Sequence, residues 1–541
     1  MIERIVENWL TSAKERSYQI PFSQILMLEG YTILCISKHG QMEQGKDIIA
    51  LGPDGVPCAY QLKTGDINLD TWRTMKAQID ELVELPIAHP SIDKGAPFRA
   101  YLVTNGEMAD PVRRLIDDRN GYWKRKGLST LNIILKGELL RKFADAYKSF
   151  FPATPQTLRD FLELYLADGR DFVDKDKLAV FLDTLLLQDS GVAVNSLNRL
   201  QNRAATAAVI TQSLLATSES EKNHVAIIES WIMFCAHVLA LADKEKIPDK
   251  FWRPTYEVVI QRVCEQLDDL KAEFLSRTNY VEQPALGDGG VVYKARLMIV
   301  LGWLCAYELF RLARDPSGWK CDEKLLRIVQ QNYKKWLWYW GESGTPHQIM
   351  VSLLTEAAGD ESLSWNILLE MMVEICEKNT NESESGFPDP YTPLHHIVEA
   401  QMLDRLYPSD TKQPPGFSYH LAPLVHHAVR LDKRTPLNEL WKGISKIAIR
   451  EYHPAHKWHY LLWRSRLGRD DTRFFERTQS WTKLKEIATS SADTLPAIVQ
   501  SNPEFLYYFL LVYPHRLTSE ALRIIDDKTA SSAKTARSRH Q

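Results

Sequence analysis

The feature that most constrains this chain is a change of period near residue 145. Before that point, short runs of strand-forming residues alternate with stretches whose apolar side chains recur at helical spacing. The runs are residues 31–36 (YTILCI), 47–51 (DIIAL), 57–63 (PCAYQLK), 99–104 (RAYLVT) and 131–135 (LNIIL). The intervening helical patterns cover residues 22–29, 69–85 and 110–119. Alternation of this kind predicts a sheet flanked by helices. From Thr157 onward strand alternation almost disappears, and long segments carry apolar residues at i, i+3, i+4 and i+7. The expected architecture is therefore an α/β domain with a mixed central sheet, followed by a large all-α region without a fixed repeat.

Length sets the number of cores. A chain of 541 residues and 62.2 kDa exceeds what one hydrophobic core supports. The expected divisions are residues 1–145, 146–380 and 381–527, the last continuing the helical region. Residues 528–541, basic and rich in Ser and Ala, are expected to be a disordered tail. The net charge of −3 excludes a protein that coats nucleic acid through global basicity, yet leaves room for a local basic cleft. Seven scattered cysteines, an odd number with no C-x-x-C pair, read as buried free thiols in a reducing, cytoplasmic setting. The apolar runs 297–307 and 505–513 are far shorter than the roughly 20 residues of a membrane span, so no membrane association is expected.

The chemistry concentrates between Gly45 and Lys63. Pro53-Asp54-Gly55 between two apolar runs is a turn signal, because proline presets φ and glycine tolerates positive φ. The resulting hairpin brings Asp47 near Gln61 and Lys63, which share one face because residues two apart on a strand point the same way. A carboxylate beside a lysine at a sheet rim suits metal-dependent phosphodiester hydrolysis, with the acid holding a divalent cation and the lysine orienting water.

In order and content, the first quarter of the chain resembles the Mrr-like branch of the PD-(D/E)xK nuclease superfamily. The residues that carry the resemblance are Gly30-Tyr31 after a helix, Glu43 to Asp47, Gln61-Leu62-Lys63, Val103-Thr104-Asn105-Gly106, and Gly137 to Leu140. The resemblance implies a restriction-endonuclease-like fold and Mg²⁺-dependent cleavage of DNA, Mn²⁺ being the alternative ion. It makes Asp47 the metal ligand, Lys63 the water-orienting cation and Gln61 the occupant of the second acid position. Two departures stand out: Glu43-Gln44 replaces Asp-Gly, and Ser23-Gln24 follows Phe22 where an acid is common. Glu43 and Gln24 are therefore the expected helpers, with Glu7 an outside candidate for the missing acid.

A basic and aromatic cluster, Arg113, Arg114, Arg119, Tyr122, Trp123, Lys124, Arg125 and Lys126, is the expected DNA-binding surface. Trp463-Arg464-Ser465-Arg466, with Arg469 and Arg473, is a weaker second candidate. His453, His456 and His459, the pairs His395-His396 and His426-His427, and the loop at residues 287–290 read as ordinary packing or connecting elements. The expected function is a Mg²⁺-dependent deoxyribonuclease, by analogy in bacterial restriction or anti-phage defence. The helical region would sense, assemble into a homo-oligomer or bind a protein partner. The alternative is a catalytically degenerate nuclease fold that binds nucleic acid, or a helical scaffold.

Overall fold

The computed structural model describes residues 2–36, 45–148, 155–187, 196–276, 289–336, 340–380, 387–402, 416–464, 467–490 and 494–538. Contacts divide the chain into unit 1, Met1–Gln266, and unit 2, Leu267–Gln541. The boundaries expected at 145 and 380 fall inside these units, and in unit 1 the helix Ser196–Leu214 packs on the helices that accompany the sheet instead of belonging to a separate body.

Unit 1 begins with α1 (Ile2–Ser12) and α2 (Glu15–Leu28). Strands β1 (Thr32–Ile36), β2 (Ile48–Leu51) and β3 (Pro57–Lys63) follow, then α3 (Leu69–Glu84), β4 (Arg99–Thr104), α4 (Asp110–Arg125), β5 (Leu131–Ile134) and α5 (Lys136–Lys148). The five strands lie in chain order; β1, β2 and β3 pair antiparallel, whereas β3–β4 and β4–β5 pair parallel. The expected mixed sheet with flanking helices is thus present, and the hairpin turn has Gly55 at φ +77°. Asp54 fixes that turn by accepting from Val56 N–H at 3.2 Å and pairing with Arg99 at 2.5 Å.

Both sheet faces are covered, which explains the nearly continuous apolar runs. On one face, α3 and α4 contribute Trp72, Met75, Ile79, Val112 and Trp123 to a core with Ile49, Ala59, Ala100 and Leu102. On the other, Phe22 of α2 meets Tyr60 edge-on at 5.6 Å, and Tyr60 stacks on Tyr101 at 4.7 Å. Helix α2 starts at Glu15, not at Pro21 as its proline suggested; Pro21 sits inside the helix. Eleven of its 14 residues, Ser17 to Met27, are buried, and that packing offsets the missing proline N–H.

Helices α6 (Pro155–Tyr165), α7 (Lys175–Leu186), α8 (Ser196–Leu214), α9 (Ala216–Ser220), α10 (His224–Lys244) and α11 (Asp249–Ser276) continue the chain, and the unit boundary falls within α11. Helix α8 packs on α1, α2 and α5. Helix α10 is the one described helix long and apolar enough to cross a membrane, but 94% of its apolar window is buried within the fold, as for a core helix.

Unit 2 contains α12 (Gly289–Arg314), α13 (Glu323–Trp336), α14 (Thr345–Ala357), α15 (Glu361–Thr380), α16 (Leu394–Met402), α17 (Leu421–Arg430) and α18 (Arg434–Ile444). After these come α19 (Trp481–Thr489), α20 (Ala497–Gln500), α21 (Phe505–Val512) and α22 (Ser519–Ser538). Two expectations fail here. The region is not purely helical: β6 (Phe417–Ser418), β7 (Ala448–Pro454) and β8 (Gly468–Arg473) form a three-stranded sheet. Nor is the chain from Lys528 disordered, since α22 runs to Ser538 and buries Thr529, Ser532, Ala533 and Ala536. Small side chains let that basic helix approach its neighbours closely.

Glu342, in a short turn before α14, is buried and accepts hydrogen bonds from the Ser418 hydroxyl, Tyr419 N–H at 3.0 Å and His420 N–H at 3.2 Å. Those donors favour the carboxylate, but burial outweighs them and pushes the group up to about 7. The folded chain therefore holds this proton over a range where the unfolded chain has released it. Glu342's contribution to stability is full below about pH 4.5 and is lost as pH rises through about 7, a change of roughly 3 kcal/mol. Glu342→Gln should flatten this component in urea unfolding curves recorded from pH 4.5 to 8. Parallel profiles for variant and wild type would contradict the assignment.

Candidate functional site

The site is built where β2 begins and β3 ends. Gly45, at φ +70°, passes so close to the Gln78 carbonyl of α3 that any Cβ would collide with it. This close approach delivers Lys46 and Asp47 into β2. Asp47 N–H donates to Tyr60 O at 2.8 Å. Asp47 Oδ2 accepts from Gln61 Nε2 at 2.7 Å and from Leu62 N–H at 2.6 Å. Asp47 and Gln61 are thus together, as expected, but each retains only 4% exposure.

Lys63 ends β3 with its side chain 16% exposed, and its ammonium lies 3.5 Å from Glu15 Oε1 on α2. Beneath it, the buried Tyr18 hydroxyl donates to Lys63 O at 2.7 Å. Desolvation raises the Tyr18 phenol pKa well above its ordinary value, and the nearby negative charges of Glu15 and then Asp47 push it the same way. Gln19 Nε2 reaches Asp47 O at 3.4 Å. Lys46 packs over the Phe98 ring at 5.9 Å, and burial lowers its ammonium pKa to about 8.

Glu15, Tyr18, Gln19 and Phe22 follow the i, i+3, i+4, i+7 pattern of one helix face. Gln24 is nine residues from Glu15, about half a turn away at 3.6 residues per turn. Its Oε1 accepts from Thr255 of α11 at 3.0 Å, so Gln24 is turned from the site and the expectation for it is corrected. Glu7 is exposed on α1. Glu43 lies outside the described residues, as do Ser465 and Arg466. Sequence reasoning missed Glu15 because it sought the acid beside Phe22 instead of one face-repeat earlier.

The far wall is held by Asn105. Its Nδ2 donates to Leu10 O at 2.5 Å and Ala13 O at 2.7 Å, while its Oδ1 accepts from Gly65 N–H at 2.7 Å. Gly106 lies so close to the Gly65–Asp66 backbone that a Cβ could not fit. Asn105-Gly106 therefore pins the loop after Lys63 to the end of α1.

The basic cluster does not converge. Arg113, Arg114, Lys124, Arg125 and Lys126 are all exposed. However, α4 starts at the same sheet end as Lys63 and runs back along the strands, so Lys124 lies about 16 Å beyond Arg113 along the axis. Arg119 is paired with Asp80 at 2.5 Å, and Trp123 is buried with its Nε1 donating to Glu84 at 3.0 Å. Arg113 and Arg114 belong to the site end and Lys124 to Lys126 to the opposite one. In unit 2, Arg464 is bonded to Tyr391 O and Arg473 pairs with Glu451 at 2.6 Å, so both are engaged within the fold. No protein-family model, curated protein or solved structure matches the chain.

Because Asn105 makes three buried hydrogen bonds, Asn105→Ala should destabilise unit 1 by about 2–4 kcal/mol. Denaturant unfolding followed by a probe in the sheet measures this, and a loss below about 0.5 kcal/mol would show that the clamp is dispensable.

Proposed function

We propose that unit 1 is a divalent-metal-dependent nuclease whose site comprises Glu15, Asp47, Gln61 and Lys63. The observation that carries the reading is that successive residues at the end of β3 engage two carboxylates, Gln61 and Leu62 bonding Asp47 and Lys63 lying 3.5 Å from Glu15. The fold supports it: the αβββαβαβ order and the three antiparallel strands followed by parallel ones suit the PD-(D/E)xK resemblance. The substrate class is DNA, and restriction or defence remains the biological reading by analogy.

The donors fit a small hard cation. Asp47 and Glu15 offer carboxylate oxygens, and Gln61 Oε1 is a buried oxygen without a hydrogen-bond partner. An all-oxygen set matches Mg²⁺ or Mn²⁺. When bound, such an ion would stabilise charge on a scissile phosphate. Leu62 N–H and Gln61 fix the plane of the Asp47 carboxylate, and Tyr18 fixes the backbone from which Lys63 extends. Lys63 orients water and neutralises phosphate charge. Since Asp47 and Gln61 are buried, a phosphate reaches the cluster from the Glu15–Lys63 side, where the two side chains retain 32% and 16% exposure. On α4, Arg113 and Arg114 lie at the helix end nearer that side.

The test is plasmid nicking by purified full-length protein with Mg²⁺ or Mn²⁺. Asp47→Ala and Lys63→Ala should abolish cleavage with thermal midpoints checked in parallel, and Glu15→Gln should reduce it on the order of 10²-fold. Arg113→Ala/Arg114→Ala should weaken DNA binding, whereas Lys124→Ala should leave it nearly unchanged. Wild-type DNA binding in EDTA without cleavage in either metal would favour the degenerate, binding-only fold. Undiminished activity in the Asp47 and Lys63 variants would refute the site.

A further inference from the structure

Helices α14, α17 and α22 bring Glu356, His427 and Asp526 together within unit 2, and one donor atom from each lies within 4.8 Å of the other two. His427 is 2% exposed, and neither of its ring nitrogens takes part in a hydrogen bond; Nδ1 comes no nearer than 3.5 Å to Asp526 Oδ2. Glu356 Oε2 is likewise buried without a partner. A desolvated imidazole and a desolvated carboxylate oxygen left without donors or acceptors are costly in a packed core, and here they face one another.

We propose that Glu356, His427 and Asp526 bind a single divalent transition-metal ion, Zn²⁺ by preference. One neutral imidazole nitrogen with two carboxylate oxygens is a borderline donor set, which suits Zn²⁺ better than the oxygen-seeking Mg²⁺ or Ca²⁺. Bonds of about 2.0–2.1 Å in a tetrahedral site place neighbouring donors about 3.3 Å apart. The His427–Asp526 separation already approaches this, and Glu356 closes the remainder by side-chain rotation. The fourth position is left for water.

The surrounding charges favour a cation. Arg430 donates to Asp526 Oδ2 at 2.7 Å and also contacts Asp527. Glu356, Asp526 and Asp527 face two guanidiniums, Arg430 and Arg523, so one carboxylate is left without a counter-charge. Arg430 also orients Asp526 from outside, as outer hydrogen-bond donors do for metal-binding carboxylates. The three ligands come from positions far apart in sequence, so the ion would clamp the last helix onto the body of unit 2. The inference is independent of the nuclease reading.

The experiment uses untagged full-length protein. Elemental analysis of purified protein, and calorimetric titration of EDTA-treated, dialysed protein with Zn²⁺, should give one Zn²⁺ per chain with a dissociation constant in the micromolar range or tighter. Zn²⁺ should raise the thermal midpoint, and millimolar Mg²⁺ should not substitute for it. His427→Gln and Glu356→Gln should each weaken Zn²⁺ binding at least tenfold. Should both variants misfold, wild-type protein loaded with Co²⁺ should show the intense visible absorption of a four-coordinate ion, and lack of that band would overturn the site. So would equal Zn²⁺ binding in variants and wild type. A midpoint that responds to pH but not to Zn²⁺ would mean that the cluster is a histidine–carboxylate ion pair.

Discussion

The hydrogen bond from Leu62 N–H to Asp47 Oδ2, 2.6 Å long, is the contact on which the arrangement of unit 1 turns. It closes the β2–β3 hairpin at its open end, where ladder pairing has run out. It joins the residue that begins β2 to the strand that continues into the parallel half of the sheet. A carboxylate held by a backbone donor and an amide is confined in position and plane. Gly45 makes the approach sterically feasible, and Asn105-Gly106 fixes the loop that leaves β3. Remove any of these and the strand ends remain, but the groups they present no longer share one place.

Much of this was legible because the local signals agree. The strands at 57–63 and 99–104 were read to the residue, since each is an apolar run ended by a turn signal, and β3 and β4 are buried on both faces. The Pro53-Asp54-Gly55 turn was readable for the same reason. Asp47 beside Gln61 follows from hairpin register, with Ile48 opposite Tyr60. Glu15 was not found because its relation to Lys63 depends on the phase of a helix whose start the internal Pro21 disguised. Burial overrode the proline signal, and with it went the phase. Gln24 failed for the complementary reason, lying half a turn away and bonded to Thr255.

In unit 2, β8 carries no apolar residue at all, reading GRDDTR, and most of it is exposed. Its partner β7 is held by ladder bonds and by polar side-chain pairs such as Arg473–Glu451 and His453–Asp471. A sheet built on polar cross-strand pairs has no hydrophobic period to detect. The final helix was misread through composition alone. Ala and Ser are poor signs of a core, yet they are the residues that allow a helix to lie close against others, and Thr529 bonds Tyr507 inside the packing at 2.8 Å.

Buried charge connects the two units' chemistry. In unit 1 the acids near β3 are matched by cations of very different kinds. Lys63 keeps partial contact with solvent and a carboxylate partner, whereas Lys46, one residue from Asp47, is packed against Phe98 and loses much of its preference for the charged form. Lys46 still holds its proton near neutral pH and lies beside Glu81, whereas Lys63 is the ammonium in contact with Glu15. Carboxylate oxygens beside the buried, unpartnered Gln61 Oε1 favour a cation as ligand. The same logic, with an imidazole in place of an amide oxygen, separates the Glu356–His427–Asp526 cluster from the sheet site. The donor atoms differ in softness, so the two proposed sites would select different metals from one solution.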